Sequence, residues 1–148
     1  DVCSSDLSAV DYRSSSSAWV YYSMDGGRTW KNVNLGKPPK MTTSSNDPSV
    51  AFNRNGTGYL VYGAFGDRTK ASPENGVFFS RTTDGGVTWT KHIPVIQHLG
   101  EQTPDSTFED KYYIWVDNSP NSPYANRLYI PWKRVINRDS STQIVNVY

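Results

Sequence analysis

Asp11 is followed two residues later by Arg13, Asp67 directly by Arg68, and Arg134 closes another apolar run. A guanidinium fork can grip a carboxylate through paired N–H···O bonds, and a loop carboxylate can cap a turn or move a proton. Glu101, Asp105, Glu109 and Asp110 crowd a second segment. Oxygen-rich loops can hold Ca2+, but this spacing fits no EF-hand, and a solvated acidic loop is the simpler reading. His92 and His98 lie six residues apart with no third ligand, a weak basis for zinc. No cofactor is expected, Ca2+ being the one metal the residues leave open. Tyr112, Tyr113, Trp115, Tyr124, Tyr129 and Trp132 are numerous enough to stack sugars. Alternation along strands assigns most of them to a core and leaves Tyr124, in a Pro-rich loop, as the exposed one.

The elements that must position these groups are strands. Aromatic residues make up 14% of the 148 residues, and aromatic and β-branched runs are broken by polar turns. A net charge of +1 with no basic stripe gives no electrostatic case for nucleic acid. The apolar runs are far too short for a membrane-spanning helix. Cys3 stands alone, which excludes a disulfide framework.

A motif repeats. Ser23-Met24-Asp25-Gly26-Gly27-Arg28-Thr29-Trp30 recurs as Thr82-Thr83-Asp84-Gly85-Gly86-Val87-Thr88-Trp89, with Trp30 and Trp89 separated by 59 residues. Strand-like runs flank each copy, 18–23 and 29–33 in the first and 77–81 and 87–93 in the second. Asp-Gly-Gly between such runs is a hairpin corner, because the glycines supply positive φ and the carboxylate accepts backbone N–H groups. An indole folded back on that corner removes roughly 200 Å² from water, about 5 kcal/mol at most. Two further runs, 49–53 and 59–65, lie between the copies. The same pair returns as 112–117 and 128–134, and 143–148 takes the place of the strand before a third corner. One four-stranded unit is complete between two partial ones. The reading is all-β: a partial β-propeller of about two to three four-stranded antiparallel blades.

The two corners resemble the Asp-box, or bacterial neuraminidase repeat, of the sialidase superfamily. Ser23, Asp25, Gly27, Thr29 and Trp30 match it, as do Thr82, Asp84, Gly86, Thr88 and Trp89. Asp47-Pro48-Ser49-Val50-Ala51-Phe52 and Asp110-Lys111-Tyr112-Tyr113-Ile114-Trp115-Val116-Asp117 are similar to bacterial members as well. The resemblance implies a six-bladed propeller in which the Asp-boxes are scaffold, on the face opposite the active site. It implies a general-acid Asp, for which Asp67 and Asp11 are candidates, and arginines that hold the substrate carboxylate, for which Arg13, Arg68 and Arg134 are candidates. The family's Arg-Ile-Pro-like strand is missing from the complete unit, and no Glu/Tyr nucleophile pair can be assigned.

Alternation places the loops 11–17, 35–47, 66–75, 97–110 and 135–142 on one face, opposite the Asp-boxes. Two functions follow from the resemblance: a sialidase-like glycoside hydrolase acting on terminal sugars of glycans, or a non-catalytic Asp-box propeller that binds glycans or proteins. The implied partner is a glycan, with no nucleic acid and no membrane span, and the implied location is secreted, periplasmic or cell-surface. Residues 1–7 resemble the in-frame translation of a sequencing-library adapter and are set apart as non-native. Residues 8–148 then form an incomplete sialidase-like propeller domain, with the rest of the ring missing and the isolated chain inactive.

Overall fold

The computed structural model describes residues 7–9, 17–67, 69–70, 73–100, 106–138 and 142–147. It is all-β, with no α-helix among the described residues. Strands β1 (Leu7–Ala9), β2 (Ala18–Tyr22) and β3 (Lys31–Gly36) form a first antiparallel sheet in that order. Strands β4 (Ser44–Phe52), β5 (Gly58–Phe65), β6 (Asn75–Thr82) and β7 (Ile93–His98) form a second, with each strand beside the next in sequence. In the third region β8 (Ser106–Asp110) pairs with β11 (Lys133–Arg138), which pairs with β12 (Thr142–Val147). The short β9 (Trp115–Val116) and β10 (Leu128–Tyr129) pair with each other, and Tyr113 N donates to Pro131 O at 3.0 Å between the two ladders.

The second sheet is covered on both faces. Every residue of β5, Gly-Tyr-Leu-Val-Tyr-Gly-Ala-Phe, is buried, and a strand covered on both sides reads as a continuous apolar run. Because successive side chains point to opposite faces, Leu60, Tyr62 and Ala64 pack with Ala18, Val20 and Leu35 of the first sheet. Tyr59 and Val61 pack instead with Tyr112, Ile114 and Val116 of the third.

The repeated corners close β2 onto β3 and β6 onto β7 with the same bonds. Asp25 Oδ1 accepts from Thr29 N at 2.9 Å, Asp25 Oδ2 from Thr29 Oγ1 at 2.6 Å, and Ser23 Oγ donates to Asp25 Oδ1 at 2.8 Å. In the second corner Thr88 N, Thr88 Oγ1 and Thr82 Oγ1 meet Asp84 at 2.9, 2.5 and 2.8 Å. Each indole N–H donates to the second glycine's carbonyl, Trp30 to Gly27 at 3.1 Å and Trp89 to Gly86 at 2.9 Å. The corners also touch. A Cβ on Gly85 would stand 2.9 Å from Met24 Sδ, and one on Gly86 2.9 Å from Tyr22 Cβ. Gly86, at φ +99, is therefore required by both backbone conformation and crowding.

The structure corrects several sequence-based bounds. The strands after the corners begin at Lys31 and Ile93 rather than at 29 and 87, because the Asp carboxylate holds the next four residues in the turn. The third region's first strand begins at Ser106, so Glu109 and Asp110 lie in a strand and not in an acidic loop. The two indoles also differ. Trp89 packs against the cluster containing Ala18 and Val20, whereas Trp30 is 47% exposed, and the full burial expected of both applies to neither. Leu7, expected to stand apart, pairs with Tyr21.

Both corner carboxylates are lowered to about 2, chiefly by the side-chain hydrogen bond from Thr29 or Thr88. A depressed folded value stabilises above the unfolded carboxylate value and is lost as pH falls through the folded one. The corners are therefore expected to loosen between about pH 4 and pH 2. Acid titration followed by tryptophan fluorescence should show a transition in that window that is absent from the Asp25→Asn/Asp84→Asn double variant.

Candidate functional site

Strand register fixes which loops share an end of the second sheet. Ser44, Phe65, Asn75 and His98 lie in one row across β4, β5, β6 and β7, while Phe52, Gly58 and Thr82 lie at the opposite end with the Asp-Gly-Gly corner. The segments 37–43, 66–67 and 73–74 therefore share the end remote from the corners.

Asp67 sits on that end in a tight turn. It accepts from Thr69 N at 3.0 Å and from Thr69 Oγ1 at 2.6 Å, and the side-chain bond is the main reason its carboxyl lies below the usual range. A general acid at neutral pH needs its pKa raised, so Asp67 has the character of a turn cap. Asp11, Arg13, Arg68, Glu101 and Asp105 lie outside the described residues.

Arg134 lies within β11 instead of at a loop tip. Its Nε donates to Glu109 Oε1 at 2.8 Å, and His98 Nε2 approaches the same oxygen at 2.7 Å. The Glu109 side chain is fully buried, and Oε2 has no hydrogen-bond partner among the described residues. Burial raises the Glu109 carboxyl, but the His98 and Arg134 hydrogen bonds and their charges outweigh it, leaving it below the usual range. Asn75 completes the seam: its Nδ2 donates to Thr107 O at 2.8 Å, and its Oδ1 accepts from Glu109 N at 3.3 Å. Asn75 and His98 belong to the second sheet, Thr107, Glu109 and Arg134 to the third, so this cluster ties the two together. The other histidine has a separate role. His92 Nδ1 lies 2.5 Å from the Tyr62 hydroxyl, with burial pushing the phenol up and the imidazole down, so both stay neutral. The two histidines meet different partners.

A second row of cross-sheet contacts runs along β4. The Tyr112 hydroxyl donates to Asn46 Oδ1 at 2.7 Å, Ile114 N to Ser49 Oγ at 3.2 Å, and Asn118 Nδ2 to Phe52 O at 2.8 Å. Numbers rise together on both sides, so the segments run in parallel, joined by side chains instead of a backbone ladder. Within this row both chains bulge. Asp47 has φ +46 and Lys111 φ +53, left-handed conformations that cost a residue with a side chain about 1–2 kcal/mol each. The row parts at the bulges around a cavity of about 250 Å³ lined by Asp47, Pro48, Ser49, Lys111, Tyr112 and Tyr113. Lys111 Nζ lies 3.5 Å from Asp47 Oδ2.

Beside the cavity lies an aromatic surface, where alternation along the strands predicts core. Tyr113 is 69% exposed, Trp115 71% and Tyr129 43%, and Trp115 stands directly opposite Tyr129. Tyr124 is exposed as expected, with the Arg127 guanidinium over its ring. Tyr112 is buried as expected, together with Ile114 and Val116, but alternation along a strand does not tell whether its other face is covered. The cavity residues were missed as a site. The one signal was that an Asp opens both Asp47-Pro48 and Asp110-Lys111, each near the bulge of a matching strand. No protein-family model, curated protein or solved structure matches the chain.

Two variants test this geometry. A Cβ on Gly63 would lie 1.6 Å from the Tyr112 hydroxyl and 2.6 Å from Asn46 Oδ1, so Gly63→Ala should lower the urea unfolding free energy by about 1–3 kcal/mol. Glu109→Ala removes the buried partner shared by Arg134 and His98 and should cost about 3 kcal/mol at pH 7. Because the folded carboxyl is depressed, that penalty should shrink as pH falls below the unfolded glutamate range. An unfolding midpoint that moves equally at pH 7 and pH 3 would contradict this.

Proposed function

We propose that the chain is built from the blades of a sialidase-like Asp-box propeller acting on terminal sugars of glycans. The observation that carries the reading is the doubled corner: two Asp-Gly-Gly hairpins with the same hydrogen bonds, side by side at the same end of successive sheets. Position-by-position equivalence between the sheets supports it. Ala51 and Tyr59, which face the third sheet, correspond through matched pairing to Trp115 and Tyr129. The exposed aromatic face of the third sheet thus repeats, position for position, a face that the second sheet buries. A further blade packed there accounts for those aromatics. In this arrangement the loops remote from the corners form the glycan-facing side, which suits function carried on loops above a rigid scaffold.

The non-catalytic alternative, a propeller that binds glycans or proteins, is favoured by two contacts. Thr69 holds Asp67 as a carboxylate, and Glu109 engages Arg134 within the seam. Fluorogenic sialosides, galactosides and glucosides offered to the full-length protein separate the two readings. Hydrolysis predicts turnover of one of them, reduced at least about a hundredfold by Asp67→Ala if that residue is the acid. Glycan binding without turnover, unchanged in Asp67→Ala, would establish the binding module in its place.

A further inference from the structure

We infer that Asn55 is a self-modification site, whose carboxamide is lost by spontaneous deamidation in the folded protein while the three other Asx-Gly steps of the chain are held unreactive. Those four steps are Asp25-Gly26, Asn55-Gly56, Asn75-Gly76 and Asp84-Gly85. Glycine is the permissive neighbour, because it has no Cβ to obstruct its backbone nitrogen and few forbidden backbone angles. The reaction needs that nitrogen to reach the carbonyl carbon of the preceding side chain. At Asn55, Gly56 N attacks Cγ and gives its proton to solvent, the Cγ–Nδ2 bond breaks, and ammonia leaves a closed succinimide ring. Water then opens the ring. Cleavage at Cγ leaves aspartate, whereas cleavage at the main-chain carbonyl leaves isoaspartate, with the chain rerouted through the side chain and lengthened by a carbon. Either product puts a carboxylate where a neutral amide stood.

The structure separates the four steps. Asn55 is exposed, in the turn that joins β4 to β5. Asn53 supplies the bonds that close this turn: its Oδ1 accepts from Asn55 N at 3.0 Å and from Thr57 N at 2.9 Å, and its carbonyl accepts from Gly56 N at 3.1 Å. None of these bonds uses the Asn55 carboxamide. Asn75 is the opposite case. It is 1% exposed, its Nδ2 donates to Thr107 O at 2.8 Å, and Gly76 is paired with Ala64 on one side and Gln97 on the other. Turns open locally at little cost in free energy, whereas freeing an interior strand position means unpairing the sheet. In the corners, ring closure would expel water and needs a protonated acid. Thr29 and Thr88 hold both carboxyls at about 2, ionised at neutral pH. The reactive turn lies at the end of the second sheet that carries the corner, so the new charge arises away from the opposite loops.

Peptide mapping by mass spectrometry tests the assignment on the full-length protein incubated folded at neutral pH, with digestion in mild acid to prevent further reaction. Conversion at Asn55 is expected to run at least about tenfold ahead of conversion at Asn75. Fragmentation that distinguishes the isomers should find both aspartate and isoaspartate at position 55, with Asp25 and Asp84 unchanged. The same incubation in urea should bring the two asparagines to similar rates, because unfolding removes the difference between them. Asn55→Gln, whose longer side chain closes a ring far more slowly, should abolish the acidic form that accumulates on ion exchange; thermal melts confirm its fold. An Asn55 that stays an amide in the folded protein while the urea control reacts would overturn the inference. Equal conversion of Asn55 and Asn75 in the folded protein would overturn it too.

Discussion

The constraint on which the remaining structure depends is that the second sheet is covered on both faces. Every side chain of β5 must be apolar or small, and each neighbouring sheet must supply a matching surface. Interiors pack at the density of organic crystals, so the relative placement of the three sheets follows from which residues point which way. Gly63 marks the tightest point: its missing Cβ is what lets the Tyr112 phenol reach through to Asn46. Strand β4 and the segment 112–118 are consequently joined by side chains, and the cavity exists because that join parts at two bulges.

At the corners a different economy operates. Asp25 and Asp84 each accept a hydroxyl and a backbone N–H from the residue four positions on, so the turn is closed by local bonds that need no neighbouring sheet. That is why both copies have one geometry even though Trp89 packs against the first sheet while Trp30 stands largely in solvent. Local closure also frees the opposite end of each sheet to vary. There the polar residues are spent on different tasks: Asp67 caps its own turn, and Glu109 gathers His98 and Arg134 into a buried seam. An arginine in such a seam stiffens the face that carries the loops instead of reaching into solvent for a ligand.

The sequence by itself determined the local and periodic features. The Asp-Gly-Gly-x-Thr-Trp corners, the strands on either side of them and the burial of Tyr112 were legible, because turn chemistry and the two-residue strand period act between near neighbours in the chain. Only tertiary structure decided the rest. Glu109 looked like part of an acidic loop until His98 and Arg134, 11 and 25 residues away, met it in the seam. Asp47 and Lys111, 64 residues apart, line one cavity solely because β4 and the segment 111–113 lie side by side. Whether Tyr113 and Trp115 are core or surface depends on what covers that face, and alternation along one strand carries no information about a partner from elsewhere.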